Sequence, residues 1–256
     1  MRRIRVIPVL LIQNGGLVKS IRFNKHLYVG DPINAVKIFN EKEVDEIVIL
    51  DISASKSRRP PDLQQISEIA GEAFMPLAYG GGITTLEQIK QVLYAGAEKV
   101  ILNTTALDNP KLITEAARQF GTQSVVVSID AKKDWLGRYR VYRNCGSLNT
   151  GLSVDTLARN LESAGAGEIF LTSIDQDGTF LGYDIALISM VTQAVNIPVV
   201  ACGGAAEVSD FQKAVERGGA SAVAAGSMFV FQRPHRAVLI SYPAAAALKV
   251  QLFDKL

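Results

Sequence analysis

Hydrophobic positions in this chain fall in short blocks rather than long stripes. Eight runs, RVIPVLLI, EIVILDIS, MPLAYGGG, KVILNT, SVVVSIDA, EIFLTSID, IPVVACGG and SAVAAGS, are apolar nearly throughout. Such runs between turn residues read as strands buried on both faces. Amphipathic segments separate them. DPINAVKIFNEKEVD opens with Asp31 as N-cap and Pro32 at the first helical position, and TTLEQIKQVLYAGA, NPKLITEAARQFG and EVSDFQKAVERGGA end near glycine, as helices often do. The alternation predicts a parallel α/β sheet covered by helices. At 256 residues a (β/α)8 barrel is the best closure, with a doubly wound sheet as the runner-up.

The runs also repeat. MPLAYGGGI at 75–83 matches IPVVACGGA at 197–205, and EIVILDIS at 46–53 matches EIFLTSID at 168–175, both at a spacing of 122 residues. The barrel is therefore expected to have approximate twofold symmetry, each half a copy of a four-strand unit. One barrel domain is expected over residues 1–240. The remainder, 241–256, contains AAAALKVQLFDKL and reads as a short amphipathic helix with Leu248, Leu252 and Phe253 clustered. One mismatch between the halves stands out. The first strand of one half, VIPVLLIQNG, leaves the barrel at Leu11, whereas its counterpart VVVSIDA ends on Asp130.

Composition narrows the classes. The chain is 48% hydrophobic and 20% charged with a net charge of +2, enough for one sizeable core. The charges are interspersed, which argues against a nucleic-acid surface. Cys145 and Cys202 form no metal spacing, and two thiols in such a chain point to a reducing compartment. The N-terminal MRRIRVIPVLLIQNGG has an apolar run of only seven residues, too short for a membrane span or a signal peptide. A cytoplasmic protein with no metal and no cofactor is expected.

In such barrels the chemistry sits at the carboxyl ends of the strands. Glycines that follow a strand and precede a helix can leave backbone N–H groups free at a positive helix end, which makes a phosphate cradle. Each half offers one: Gly82 with Asn103 and Thr104, and Gly203 and Gly204 with Gly226 and Ser227. The plainer reading is that these glycines serve tight turns. Asp130 lies beyond mostly apolar residues, where a carboxylate is costly unless it is bonded or used. It is read as a general acid or base, against a structural cap on the following AKKDW loop. Asp177, in SIDQDGTFLGYD, is either a site residue or a turn former. Asp51 and Lys19 are weaker candidates, expected in solvated or capping roles.

Charges also mark the strand starts. Arg5, Glu46, Lys99 and Glu168 each stand immediately before an apolar strand. Pointing inward, they would form a ring of two cations and two anions on the barrel floor. Such a ring is not obviously better than an apolar plug and hints at a passage, although floor residues ordinarily serve stability.

The motifs GDPINA, LDISAS, YGGGI, GAEKVILNT, SIDAKK, NTG, GAGEIFLTSIDQDGT, GYD and ACGGA, in this order over about residues 1 to 240, resemble the cyclase subunit of imidazole glycerol phosphate synthase (HisF). The resemblance implies a barrel that receives ammonia from a glutaminase docked beneath its floor. It also implies a bisphosphate substrate, held by two phosphate sites, that is cut and cyclised at the top to imidazole glycerol phosphate and AICAR. Arg5, Glu46, Lys99 and Glu168 occupy the family's ammonia-gate positions. Gly82, Asn103, Thr104, Gly203, Gly204, Gly226 and Ser227 match its phosphate cradles, and Asp130 matches one of its two catalytic aspartates. The other aspartate closes the family's strand-one motif, where this chain has Leu11.

Leucine cannot transfer a proton, and loss of one acid–base group costs about 10²–10⁴-fold in rate. With its conduit residues present and half the catalytic pair missing, the chain looks like cyclase-related proteins that work with a glutaminase-like partner and a sugar amidotransferase. In those systems the nitrogen goes to an amidino group on a surface-polysaccharide sugar. The stretch GSMFVFQRPHRAVLISYP resembles that branch as well. The expected function is ammonia conduction with impaired cyclase chemistry. The alternative is a histidine-pathway lyase using Asp130 with a substitute acid, and a sugar-phosphate isomerase fits worst. RNCGS, ACGG, His26 and His235 offer no cysteine–histidine triad context, so the glutaminase is expected to be a separate chain.

Overall fold

A computed structural model describes residues 4–256; Met1 to Arg3, the start of the N-terminal segment weighed as a leader, lie outside the described residues. The eight apolar runs form eight parallel strands: β1 (Arg5–Gln13), β2 (Ile47–Asp51), β3 (Leu77–Gly80), β4 (Lys99–Leu102), β5 (Val125–Lys133), β6 (Glu168–Ser173), β7 (Val199–Cys202) and β8 (Ala222–Ala225). Each pairs with the next. β1 closes the circle, pairing through Arg5 to Pro8 with β8 and through Val9 to Ile12 with β2. The fold is a (β/α)8 barrel.

Helices follow the strands as the sequence pattern requires. Asp31 caps Pro32–Glu41 by accepting from Asn34 N at 2.9 Å, and Thr85 and Gln88 form a capping box on Leu86–Tyr94. Either cap satisfies amide groups that the helix itself cannot. The last helix, Ala245–Gln251, completes the outer wall. Its Leu248 and the following Leu252 are buried in the same core as the barrel's outward side chains, and Tyr242 donates its hydroxyl to Val6 O at 3.0 Å.

Side chains alternate along the strands, as a two-residue period demands. Val6, Leu10 and Ile12 of β1 face the helices, whereas Ile7 and Val9 face the barrel axis, with Leu11 packed against that inner group. Inside, Val48, Ala78, Ile101, Val126, Phe170, Val200, Ala222 and Ala224 join Ile7 and Val9 in a second apolar cluster.

Both halves carry a feature that the sequence reading did not contain. After β1 the chain folds back as antiparallel strands Gly16–Ile21 and Asn24–Gly30, and after β5 as Tyr139–Arg143 and Leu148–Ser153. These two excursions stand at equivalent places in the two halves and rise over the carboxyl ends of the strands. The AKK that was expected to begin a loop is instead the continuation of β5.

Candidate functional site

The floor is built first, because one inward row leads from it to the top. Arg5 donates to carboxylate oxygens of both Glu46 and Glu168. Lys99 Nζ lies 2.9 Å from Glu46 Oε2 and 3.1 Å from Glu168 Oε2. The four side chains thus close a ring of alternating charge in which every carboxylate has two cationic partners. Glu46 and Glu168 are 4% and 7% exposed, and a carboxylate that deep needs such pairing. Removing one partner should therefore register. Lys99→Met leaves two buried carboxylates sharing Arg5, and we expect a loss of about 2–3 kcal/mol in denaturant unfolding at pH 7, reduced from the fully buried case because Lys99 is partly exposed. An unchanged midpoint would contradict the ring's structural weight.

Above the ring, the two-residue period stacks apolar side chains. Ile7 and Val9 stand over Arg5, Val48 over Glu46, Ile101 over Lys99 and Phe170 over Glu168. The same rows end at a cavity of about 140 Å³ lined by Leu11, Leu50, Asn103, Asp130 and Thr172, among others. A charged floor, a packed apolar layer and a polar cavity thus lie in series along the barrel axis.

Asp130, at the tip of β5, is 8% exposed. Asn103 Nδ2 donates to its Oδ2 at 3.1 Å and to Ser128 O at 3.2 Å. Burial pushes the Asp130 carboxyl up to about 7, against the Asn103 hydrogen bond and with Asp177 adding to the rise. A carboxyl titrating there can accept or release a proton near neutral pH. Across the barrel, Leu11 occupies the matching tip of β1 and contributes only hydrocarbon.

Asp177 joins the same cavity. Its Oδ2 accepts from Ser20 Oγ at 3.1 Å, and its backbone oxygen accepts from Arg22 N at 2.9 Å. It pins the first excursion over the mouth. Burial raises its pKa, with Lys19 and the Ser20 hydroxyl opposing.

Lys19 is where the sequence expectation fails. It is neither solvated nor a cap: it is 4% exposed, donates from Nζ to Val9 O, and lines the cavity. Burial pulls its pKa down to about 8, while Asp177 and Cys202 oppose the fall. A Cβ at Gly226 would collide with Lys19 Nζ, so the ammonium sits against the second glycine set. No local signal in GLVKSI announces this, because the burial comes from segments distant in sequence closing over the strand. Asp51, by contrast, takes the capping role: its Oδ1 accepts from Ser53 N at 2.8 Å and Ala54 N at 3.0 Å.

The expected cradle residues divide between two recesses. Gly82, Asn103, Thr104, Gly226 and Ser227 line the main cavity, whereas Gly203 and Gly204 line a small adjoining recess with Asp177, Gly226 and Ser227. The glycines are also required sterically. Gly82 and Gly204 have φ of +69° and +106°, and a Cβ at either would strike a backbone oxygen, of Arg59 and Gly182 respectively. Each half presses the loop of the preceding strand against its glycine pair. The Asn103 side chain is engaged with Asp130 and Ser128, so only its backbone is left for an anion.

Both thiols also line the cavity. Burial, with Asp130 and Asp177 respectively the next contributors, pushes Cys145 to about 11 and Cys202 to about 12. Each is held as a thiol, which is a poor nucleophile. Among the described residues, no group of three or more His, Cys, Asp or Glu side chains could hold a metal ion, and no helix is long and apolar enough to cross a membrane.

The class defined by the fold and site is a (β/α)8 barrel with titratable and glycine-lined recesses at its strand tips. The chain belongs, more particularly, to the histidine biosynthesis protein family, whose model matches residues 5–234. A protein of Pseudomonas aeruginosa, provisionally named imidazole glycerol phosphate synthase subunit hisF2, is 51% identical over 250 residues, covering 98% of this chain and all of that one. A relative from Leptospira interrogans, provisionally named a HisF subunit of the same synthase, is 47% identical over 93% of this chain and 94% of its own. The protein named imidazole glycerol phosphate synthase subunit HisF in Alkaliphilus metalliredigens is 45% identical over 88% of this chain and 89% of its own. The chain is thus a HisF-like barrel.

Proposed function

We propose that this barrel conducts ammonia rather than consuming it. A glutaminase subunit docks at the floor, ammonia passes the ring of Arg5, Glu46, Lys99 and Glu168, and it crosses the apolar layer to the top. There it goes to an amidotransferase that amidinates a sugar of a surface polysaccharide. The observation that carries this reading is the combination of the paired floor ring, which lies below an apolar axial layer, with Leu11 at the tip facing Asp130. The packed apolar layer of Ile7, Val9, Val48, Ile101 and Phe170 would admit a small neutral molecule more readily than an ion, which would lose its hydration there. Burial that holds Cys145 and Cys202 as thiols argues against a cysteine glutaminase within this chain.

Asp130 keeps a second reading in view. Its carboxyl near pH 7, beside the glycine-lined recesses and buried Lys19, favours a residual cyclase and lyase of histidine biosynthesis in which Lys19 substitutes for the lost acid–base group.

The test uses glutamine labelled with ¹⁵N in its side-chain amide. The chain is combined with its glutaminase and the sugar amidotransferase, in the presence of an enzyme that scavenges free ammonia. Label should reach the amidino product despite the scavenger, and the chain alone should leave glutamine intact. Label lost wholly to the scavenger would remove the conduit, and glutamine hydrolysis by the chain alone would remove the need for a partner.

A further inference from the structure

The cavity leaves the charge and apolar tips of its own rim unexplained. Eight segments rise above the barrel proper, at residues 14–31, 52–62, 81–85, 103–110, 131–153, 174–184, 203–207 and 226–240. Together they hold thirteen Lys and Arg against eight Asp and Glu, while the rest of the chain holds fourteen against seventeen. The top is therefore basic and the remainder slightly acidic. A phosphate site does not account for this, because Lys19 is the only one of those thirteen cations that lines the cavity. Lys25, Lys56, Arg58 and Lys132 are exposed on the rim.

Apolar exposure follows the same geography. Nine of the thirteen exposed large hydrophobic side chains among the described residues belong to these segments. Trp135 is 89% exposed, Leu181 74% and Tyr28 65%. Single exposed apolar residues need no explanation, but a concentration rimmed by charge marks an interaction surface, and exposed aromatic side chains are frequent anchors of such surfaces.

The carriers are tied to one another. Lys133 N at the end of β5 donates to Asp175 Oδ2 at 2.9 Å, Tyr139 of the second excursion donates its hydroxyl to Asp184 Oδ1 at 2.6 Å, and Arg22 Nε in the first excursion donates to Asp175 O at 3.0 Å. The loop after β6 thus joins both excursions into one ridge, and a preformed ridge loses little entropy on binding.

We infer that this carboxyl-end face is a docking surface for a protein with an acidic, partly apolar face, namely the subunit that takes the ammonia emerging there. The inference rests on the proposed function and adds where the acceptor sits. Opposite charge steers the encounter, and the apolar tips hold it. Seating the acceptor over the cavity mouth keeps ammonia from solvent, so that delivery needs no free pool.

The experiment uses the whole chain with its glutaminase and the sugar amidotransferase, comparing the native chain with a Trp135→Ser, Leu181→Ser double variant. Both side chains are exposed and outside the cavity lining, and glutaminase affinity at the floor serves as the control for folding. The double variant should bind the amidotransferase at least tenfold more weakly. Native affinity should also fall several-fold between about 50 and 300 mM salt. Label transfer from ¹⁵N-glutamine under scavenging should drop in parallel. Transfer by the variant at the native level, or equal affinity, overturns the docking surface while leaving conduction standing. Absence of transfer from the native chain removes conduction and this occupant together.

Discussion

Replacing Leu11 with aspartate is expected to raise ammonia-dependent cyclase turnover by about 10²–10⁴-fold over the unaltered chain, the range associated with one positioned acid–base group. Leu11 lies in the inward row of β1 and lines the cavity that Asp130 shares across the barrel. A carboxylate at that tip needs no backbone change, because the residue already points at the ligand space. Two carboxyls in one cavity push each other's titration apart. With Asp130 already at about 7, the pair would hold one proton between them near neutrality, as acid–base chemistry requires. The measurement is product formation from the family's bisphosphate substrate in excess ammonium salt, with Leu11→Asn as a control that stays at baseline. Equal rates for the aspartate and asparagine variants would contradict the role assigned to this position.

The second large effect concerns stability. Asp130 titrates at about 7 in the folded protein and near 3.9 in an unfolded chain. A carboxyl raised in this way contributes stability that is complete below about pH 4 and is lost as the pH rises through about 7. Asp130→Asn removes that penalty and keeps an acceptor for the Asn103 amide. The variant should match the native protein at pH 4 and exceed it at pH 8 by on the order of 2–4 kcal/mol. Denaturant unfolding at the two pH values reads this directly. A variant less stable than the native chain at pH 8 would show that the carboxylate is fully compensated where it lies. A retained destabilising carboxylate is what a ligand or proton site looks like once packing has been set aside.

Much of this architecture was legible because it depends on neighbours in sequence. Buried parallel strands advertise themselves as continuous apolar runs, and all eight begin within the runs identified, with β1 and β5 continuing past them to Gln13 and Lys133. Their ends were less legible: MPLAYGGG contributes only Leu77–Gly80, since the trailing glycines adopt positive φ and leave the ladder. The antiparallel excursions were missed for a related reason. NKHLYVG and LNTGLS lie over the mouth with most side chains exposed, so no apolar run or clean alternation announces them.

The site divides in the same way. Glycines after strands and an aspartate closing an apolar run are local patterns, and so is the Asp51 cap in DISAS. The Asn103 bond to Asp130, 27 residues away, and the burial of Lys19 beneath its own excursion depend on how distant segments close over the cavity. A lysine is ordinarily exposed, and nothing within a few residues of Lys19 overrides that expectation. The floor ring was legible only as four charges before four strands. The ion pairing itself comes from barrel closure, which brings Arg5 to Glu168 across 163 residues.

The most direct test of the central claim is cyclase turnover by the unaltered chain, with the bisphosphate substrate and saturating ammonium salt at alkaline pH. Free ammonia replaces the glutaminase and leaves only the barrel top under examination. The account predicts no product above the rate without protein, because Leu11 leaves Asp130 without its partner. Sustained turnover by the unaltered chain would contradict it and make this barrel a cyclase that has found another acid.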